Sequence, residues 1–349
     1  MRVQAGQWIE VRSKEEILAT LDKDGRLDGL PFQPQMFQFC GQRIKVYKRA
    51  HKTCDWVYNT GGRLLENGLH LENVRCDGAA YAGCQSACLL YWKEEWVKAV
   101  DGESGSAVAS NQGCTEQDVI AGTKRVDPVS GETFYRCQAT DVPNFTTPLP
   151  WWNLRQYAED VSSGNANVWQ LIKAATYFSY NKFAAPHRAR GAPARWLYDQ
   201  VQKIFGGTPY PERTGLAARG KTPRTAKLNL QPGEWVRVKP YAEILATLDD
   251  NQKNRGLYFD KEAVPYCGGV YRVSHRVTDF LDESTGKPMK LTTDAVVLEN
   301  VWCRSKFSDR RVMCPRAIYP WWRDIWLERV EAPLEAVEAR AMHAETTAR

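Results

Sequence analysis

The chain repeats itself, and the repeat constrains everything else. Residues Trp8 to Cys76 align with Trp235 to Cys303 at a constant offset of 227 without a gap, and 23 of those 69 positions are identical. A repeat on this scale implies that each copy buries its own core as one structural unit. The longest match is Glu16-Ile17-Leu18-Ala19-Thr20-Leu21-Asp22 against Glu243-Ile244-Leu245-Ala246-Thr247-Leu248-Asp249. Leu71-Glu72-Asn73-Val74 matches Leu298-Glu299-Asn300-Val301 in the same way. Past Cys76 the offset becomes 230, which pairs Cys84 with Cys314, Trp92 with Trp322 and Trp96 with Trp326. A length of 349 residues holds two such modules and a spacer of similar size.

Each copy opens on an alternating segment, Gly6-Gln7-Trp8-Ile9-Glu10-Val11 and Gly233-Glu234-Trp235-Val236-Arg237-Val238, whose period of two reads as a strand. A short helix follows, with Ser13 and Glu16 at capping-box spacing and Ile17, Leu18 and Leu21 on one face. Arg43 to His51 and Gly68 to Val74 then predict a hairpin around Asn59-Thr60-Gly61-Gly62, repeated in copy 2 around Glu283 to Pro288. Trp92 with Trp96 and Trp322 with Trp326, at i and i+4, predict a tryptophan-rich helix closing each copy, its indoles turned to the core. The expected class is therefore α+β and β-rich. The Gly-x-Trp-hydrophobic-x-Val opening followed by hairpins resembles small SH3-like barrels, a fold found in translation factors, nitrile hydratase subunits and many binding modules. That resemblance rests on the first strand of each copy, and it implies two tandem barrel-type modules at 1–100 and 231–331.

Between the copies, 101–180 forms a middle region with its own Cys114 and Cys137, the Pro150-Trp151-Trp152 element and a helical pattern from Val168 to Tyr180. Residues 181–230 form a basic Pro/Gly/Arg linker, expected to be extended or partly disordered around a short helix from Arg195 to Phe205, and 332–349 form a tail. The net charge of +6 comes from 47 basic and 41 acidic side chains. Asn181 to Leu228 carries ten Lys or Arg and two acids, so the linker holds +8 and the rest of the chain −2. The modules themselves are close to neutral, and any attraction for nucleic acid is expected from the linker.

Ten cysteines with no secretory signal at the N-terminus point to a reducing, cytoplasmic setting in which clustered thiols bind metal more often than they pair. Three positions are cysteine in both copies: Cys40 with Cys267, Cys76 with Cys303, and Cys84 with Cys314. Convergence of each triad on zinc is the expected explanation, with Cys88 as the fourth ligand in copy 1. Copy 2 has Ile318 at the place of Cys88 and would need His275, Asp309 or water instead. Secondary candidates are His51 and His70, placed to face each other across the hairpin, together with Cys54. Cys114 and Cys137 could join Cys84 and Cys88 in a separate zinc or iron–sulfur site.

No Gly-x-x-x-x-Gly-Lys-Ser/Thr loop, Gly-x-Ser-x-Gly elbow, His-Glu-x-x-His helix or strand-borne Gly-x-Gly-x-x-Gly is present. No apolar run approaches the ~20 residues that span a bilayer. The expectation is a zinc-stabilised tandem binding or adaptor protein, more readily non-enzymatic than enzymatic, engaging a protein or, through the linker, nucleic acid, and no membrane. The alternative is a metalloenzyme, or an iron–sulfur or thiol redox protein, with its active site in copy 1.

Overall fold

Two segments of the second repeat belong, by their contacts, with the first. The computed structural model describes residues 3–55, 57, 60–100, 113–186, 191–218, 222–308 and 311–334. The chain divides into two compact units, the first made of Met1–Phe183 with Asp279–Lys290 and Cys303–Ile318, the second of Ala184–Thr278, Leu291–Trp302 and Tyr319–Arg349. Mixed α+β structure with many antiparallel strands and few helices makes up both.

The first unit is organised by a five-stranded sheet in the spatial order Leu89–Lys93, Gly68–Arg75, Arg43–Arg49, Trp8–Val11, Val97–Ala99. A second sheet has the corresponding order Trp322–Arg323, Pro288–Leu298, Val270–Leu281, Trp235–Val238, Leu327–Val330. The strand registers match residue for residue. Trp8 lies opposite Lys45 and Ile9 opposite Ile44, while Trp235 lies opposite Arg272 and Val236 opposite Tyr271, so the offset of 227 carries one pairing onto the other.

Identical residues also make the same core contacts. Phe32 meets Trp96 edge-on at 5.1 Å between ring centroids, and Phe259 meets Trp326 at 5.1 Å. Trp92, Trp96, Trp322 and Trp326 are all buried, as their spacing suggested, but the helices expected to carry them are absent. Each copy instead runs strand, a three-residue 3-10 turn (Glu94–Trp96 or Asp324–Trp326) and strand. The 3-10 turn carries the chain from one edge strand of the sheet to the other with both indoles inward, and i, i+4 spacing alone cannot separate this from a helix turn. Ser13 does cap the helix Lys14–Leu18, accepting from the Glu16 N–H while the Ser13 N–H donates to Glu16.

The middle region is built into the first unit. Thr147–Leu149 pairs with Gly61–Leu64, which pairs in turn with Lys52–Asp55, and the helices Arg155–Ser162 and Val168–Ala184 follow. The expected linker is likewise ordered over its described residues. It contains the helix Gly191–Ile204 and then lies against the second unit, with Leu216 N–H bonded to Leu245 O, Ala217 N–H to Leu248 O, and Tyr241 hydroxyl to Pro211 O. Tyr210 and Leu230, apolar anchors within this basic stretch, are fully buried. Arg188, Arg190, Arg219, Lys221, Asp309 and the tail from Glu335 onward lie outside the described residues. Among those described, no helix is long and apolar enough to cross a membrane.

Candidate functional site

Seven of the ten cysteines gather in the first unit around one buried cation, Arg316. Its guanidinium reaches Glu283 carboxylate oxygens at 3.1 and 3.3 Å and the Cys54 carbonyl at 3.4 Å. Both Glu283 and Arg316 come from the second-repeat segments that belong to this unit, so the site draws on both copies.

On one side of Arg316, Cys76, Cys84, Cys88 and Cys137 line a cavity of about 30 Å³, room for one or two waters, which Glu283 also borders. The loop that places Cys76 and Cys84 depends on Gly78. At φ +72° it accepts N–H bonds from Tyr81 and Gly83, and a Cβ there would lie 1.9 Å from the Cys84 carbonyl oxygen. Burial, then the neighbouring Cys137, pushes the Cys76 thiol up to about 12. Cys137 is pushed up to about 11, again chiefly by burial. Cys88 lies well above the usual thiol range for the same reason. These thiols hold their protons at neutral pH.

Cys54 and Cys314, which do not line that cavity, are both buried and influence each other's thiols. Burial acts to raise the Cys314 thiol, but hydrogen bonds from the Cys54 thiol and the Arg316 backbone N–H outweigh it and bring Cys314 down to about 7. The bond to Cys314, followed by burial, holds Cys54 well up. Cys303 is close enough to act on Cys314 electrostatically.

The metal triads expected from the repeat do not assemble. Cys40 ends the 3-10 helix Pro34–Phe39 and packs against the core, with Glu15 and Lys14 as its charged neighbours. Cys267 ends the equivalent helix Lys261–Tyr266 in the second unit, where burial raises its thiol to about 12. Their common presence is explained by packing at a helix end. Cys76 and Cys303 share a backbone role, their N–H groups bonding Cys88 O and Ile318 O, which are the aligned partners. Cys114 is buried in the core near Gly25 and does not line the cavity that Cys137 borders. His275 is beside Ser274, at 3.1 Å. Among the described residues, no group of three or more His, Cys, Asp or Glu is arranged to hold a metal ion.

The histidines do not face each other either. A register shift between Val46 and Lys48 sets Lys48 opposite His70. His51 instead turns to Asp160 at 3.3 Å and Gln156 O at 3.2 Å, beside Lys52, which contacts Asp160 at 2.5 Å. His70 binds Leu90 O at 2.8 Å, and burial drives it down to about 3, so it is neutral.

A second feature escaped the sequence reading: an apolar face on the surface. The helix Val168–Ala184 is anchored by Tyr177, whose ring meets Phe307 at 5.2 Å. It exposes Val168, Trp169, Ile172 and Phe183, with Trp169 and Phe183 both 71% accessible. At about 100° per residue these four fall within a single stripe some 100° wide. Trp151, Trp152 and Leu154 of the same unit are exposed as well. Lys173 and Lys182 are the helix's only charges, and no acid occurs between Asp160 and Asp199. The signal available was an apolar, acid-free helix, but periodicity reports that a stripe exists and not whether anything covers it.

No protein-family model matches the chain, and no curated protein is similar to it.

Proposed function

We propose that the protein is a tandem binding or adaptor protein, built on two modules of SH3-like type, that docks an acidic, amphipathic segment of a partner protein on the exposed face of the helix Val168–Ala184. The observation that carries this reading is the exposed stripe of Val168, Trp169, Ile172 and Phe183 on a helix that bears two lysines and no acid. A large exposed apolar patch is costly in water and marks an interaction surface. Branched aliphatic side chains within the stripe suit the apolar face of a helix better than nucleobases, which stack on aromatic planes. Lysines flanking it without an opposing acid favour a partner of negative charge. Part of the basic linker's charge is already engaged internally, Arg213 with Asp199 and Arg195 with Ala184 O, which weakens the case for nucleic acid there.

The test uses full-length protein with a photo-crosslinking residue in place of Ile172, mixed with lysate of its source cell. The expected result is a crosslink onto an acidic amphipathic segment of another protein, lost in W169S/I172S. Crosslinks confined to nucleic acid, lipid or a second copy, or none at all, overturn the reading.

A zinc-stabilised version is favoured by one observation, the four thiols lining a single small cavity. As placed they do not form a coordination sphere, so zinc would have to draw them inward and displace their protons. An iron–sulfur cluster is less compatible with a space of about 30 Å³. Elemental analysis of anaerobically purified protein decides: one zinc per chain, lost in C137S, supports this version, and metal-free protein rejects it.

A further inference from the structure

The two repeats build the same tight turn and cover it differently. In copy 1, Arg26–Leu27 pairs with Leu30–Pro31 through the turn Asp28-Gly29; in copy 2, Lys253–Asn254 pairs with Leu257–Tyr258 through Arg255-Gly256. All four turn residues have positive φ, +50° and +79° in the first and +45° and +84° in the second. Copy 1 covers its turn with residues 141–145. Asp141 meets the Arg26 guanidinium at 2.6 Å, and the helix Val142–Phe145 packs on Leu30–Pro31. A Cβ on Gly29 would lie 3.0 Å from the Asn144 carbonyl oxygen and 3.5 Å from Phe145 Cβ. Asp28 is matched as well, by Lys93 at 2.8 Å. Arg26, Leu30 and Pro31 are all buried.

Copy 2 has neither the cover nor the acids. A Cβ on Gly256 would meet nothing within 4 Å. Lys253, Arg255 and Gly256 are exposed, and Tyr258, at the place of Pro31, is 40% accessible. Arg255 stands where copy 1 has Asp28, and Arg323 where it has Lys93, so a cation–carboxylate pair gives way to two cations. They are adjacent: the buried Arg323 donates to the Arg255 carbonyl at 3.1 Å, while its own Nε has no partner. Among the described residues, no carboxylate forms an ion pair with Lys253, Arg255 or Arg323. Asp294 and Asp324, the acids that act on Arg323, are engaged by Arg276 at 2.7 Å and by the Leu228 N–H at 2.6 Å. Asp249 accepts the Lys253 N–H at 2.9 Å, but Asp22 does the same for Arg26, so that bond is common to both copies. The linker borders the turn without adding an acid. Asn254 binds the Arg224 carbonyl at 2.9 Å and Arg255 Nε the Pro223 carbonyl at 3.2 Å, which brings the exposed Arg224 alongside.

We propose that the Arg255-Gly256 turn docks a segment of a partner protein that supplies what Asp141 and Phe145 supply in copy 1: an acidic residue, then an aromatic one four positions on, in a single helical turn. Cations without counterions favour a negatively charged partner. Half-buried Leu257 and exposed Tyr258 offer an aromatic side chain an apolar seat, which a bare phosphate group would leave in water. The site lies in the second unit and does not rest on the exposed face of the helix Val168–Ala184 in the first.

The test titrates full-length protein into a fluorescein-labelled peptide that reproduces residues 138–149 of this chain, and follows anisotropy. Copy 1's own turn is already covered by that segment. Saturable binding with Kd below about 1 mM is expected. D141N in the peptide should weaken it about fivefold and F145A about tenfold. R255D in the protein puts back the acid that copy 1 has at Asp28, so it should abolish binding with an unchanged or higher melting temperature, the new carboxylate pairing with Arg323. K253E, at an exposed position, should also weaken binding and decides the matter if R255D does not fold. W169S/I172S should bind the peptide as wild type does, which separates this site from the one on the helix Val168–Ala184. Absence of saturation, binding that R255D and K253E leave unchanged, or binding of inorganic pyrophosphate at this turn in place of the peptide overturns the proposal.

Discussion

Trp96 donates its indole N–H to the Thr20 hydroxyl at 3.0 Å, and Trp326 does the same to Thr247 at 2.9 Å. Both indoles are buried, so each hydroxyl is the partner that makes an inward tryptophan affordable. The repeated Ala-Thr-Leu run thus keeps its threonine for this bond. Thr20→Val preserves shape and removes the acceptor, leaving a buried N–H unsatisfied at a cost of about 1–3 kcal/mol. Denaturant unfolding of T20V and T247V should show that loss in each, and a change below about 0.5 kcal/mol would mean that the indoles do not depend on the bond.

Asp160 should be the most sensitive acid in the first unit. It is fully buried and holds Lys52 and His51, fastening the helix Arg155–Ser162 to the hairpin around Lys52. Asp160→Asn leaves a buried lysine without its counterion and should cost about 3–5 kcal/mol. Replacing both partners, as in K52M/D160L, should recover much of that loss, because two desolvation costs disappear together. Urea midpoints of the single and double variants measure the difference, and equal losses in the two would show that the charge pair is not the cause.

His70 makes the protein acid-sensitive. Its folded value, about 3, lies below the ordinary 6.5 because burial penalises the charged ring. The unfolded state therefore binds the proton first, and stability is lost as pH falls through the window between those values. At pH 5 this group alone should remove about 2 kcal/mol relative to pH 7. His70→Asn keeps a donor for the Leu90 carbonyl and should flatten the stability profile between pH 7 and 5; an unchanged slope would assign the acid sensitivity to other groups.

The repeat, the strand openings, the capped first helix and the helices on either side of Ala185 were legible because each is a local pattern of period, cap or identity. The sites were less so. Cysteines shared between copies invited a metal triad in each, yet Cys40 and Cys267 end 3-10 helices while Cys76 and Cys303 hold equivalent backbone bonds to residues 88 and 318. Identity between repeats preserves packing as readily as chemistry. Nothing local indicates that Arg316, written in copy 2, reaches the Cys54 carbonyl of copy 1, since that contact spans 262 positions and depends on where the second hairpin ends. The hairpin's register, which sets Lys52 opposite Leu64 and Lys48 opposite His70 and so keeps His51 from His70, is equally invisible to a count of residues from a turn.

The end of that second hairpin is secured by one glycine. Gly286 sits at φ +76°, its carbonyl accepts the Tyr135 N–H at 2.8 Å, and a Cβ on it would lie 2.3 Å from the Tyr135 carbonyl oxygen. Alanine at 286 meets both an unfavourable backbone region and a backbone clash, so the strand Thr133–Tyr135 and the tip must separate. Lys287 to Glu132, at 2.7 Å on the surface, adds little by comparison. G286A should therefore increase hydrogen exchange across Asp279–Lys290, with K287A near wild type. Because Glu283 is on this tip, the same variant should loosen Arg316, exposing Cys314 to alkylation more rapidly while the helix Tyr241–Leu245 in the other unit exchanges as before. Unchanged exchange over Asp279–Lys290 would show that the tip is held by contacts other than the Gly286 approach.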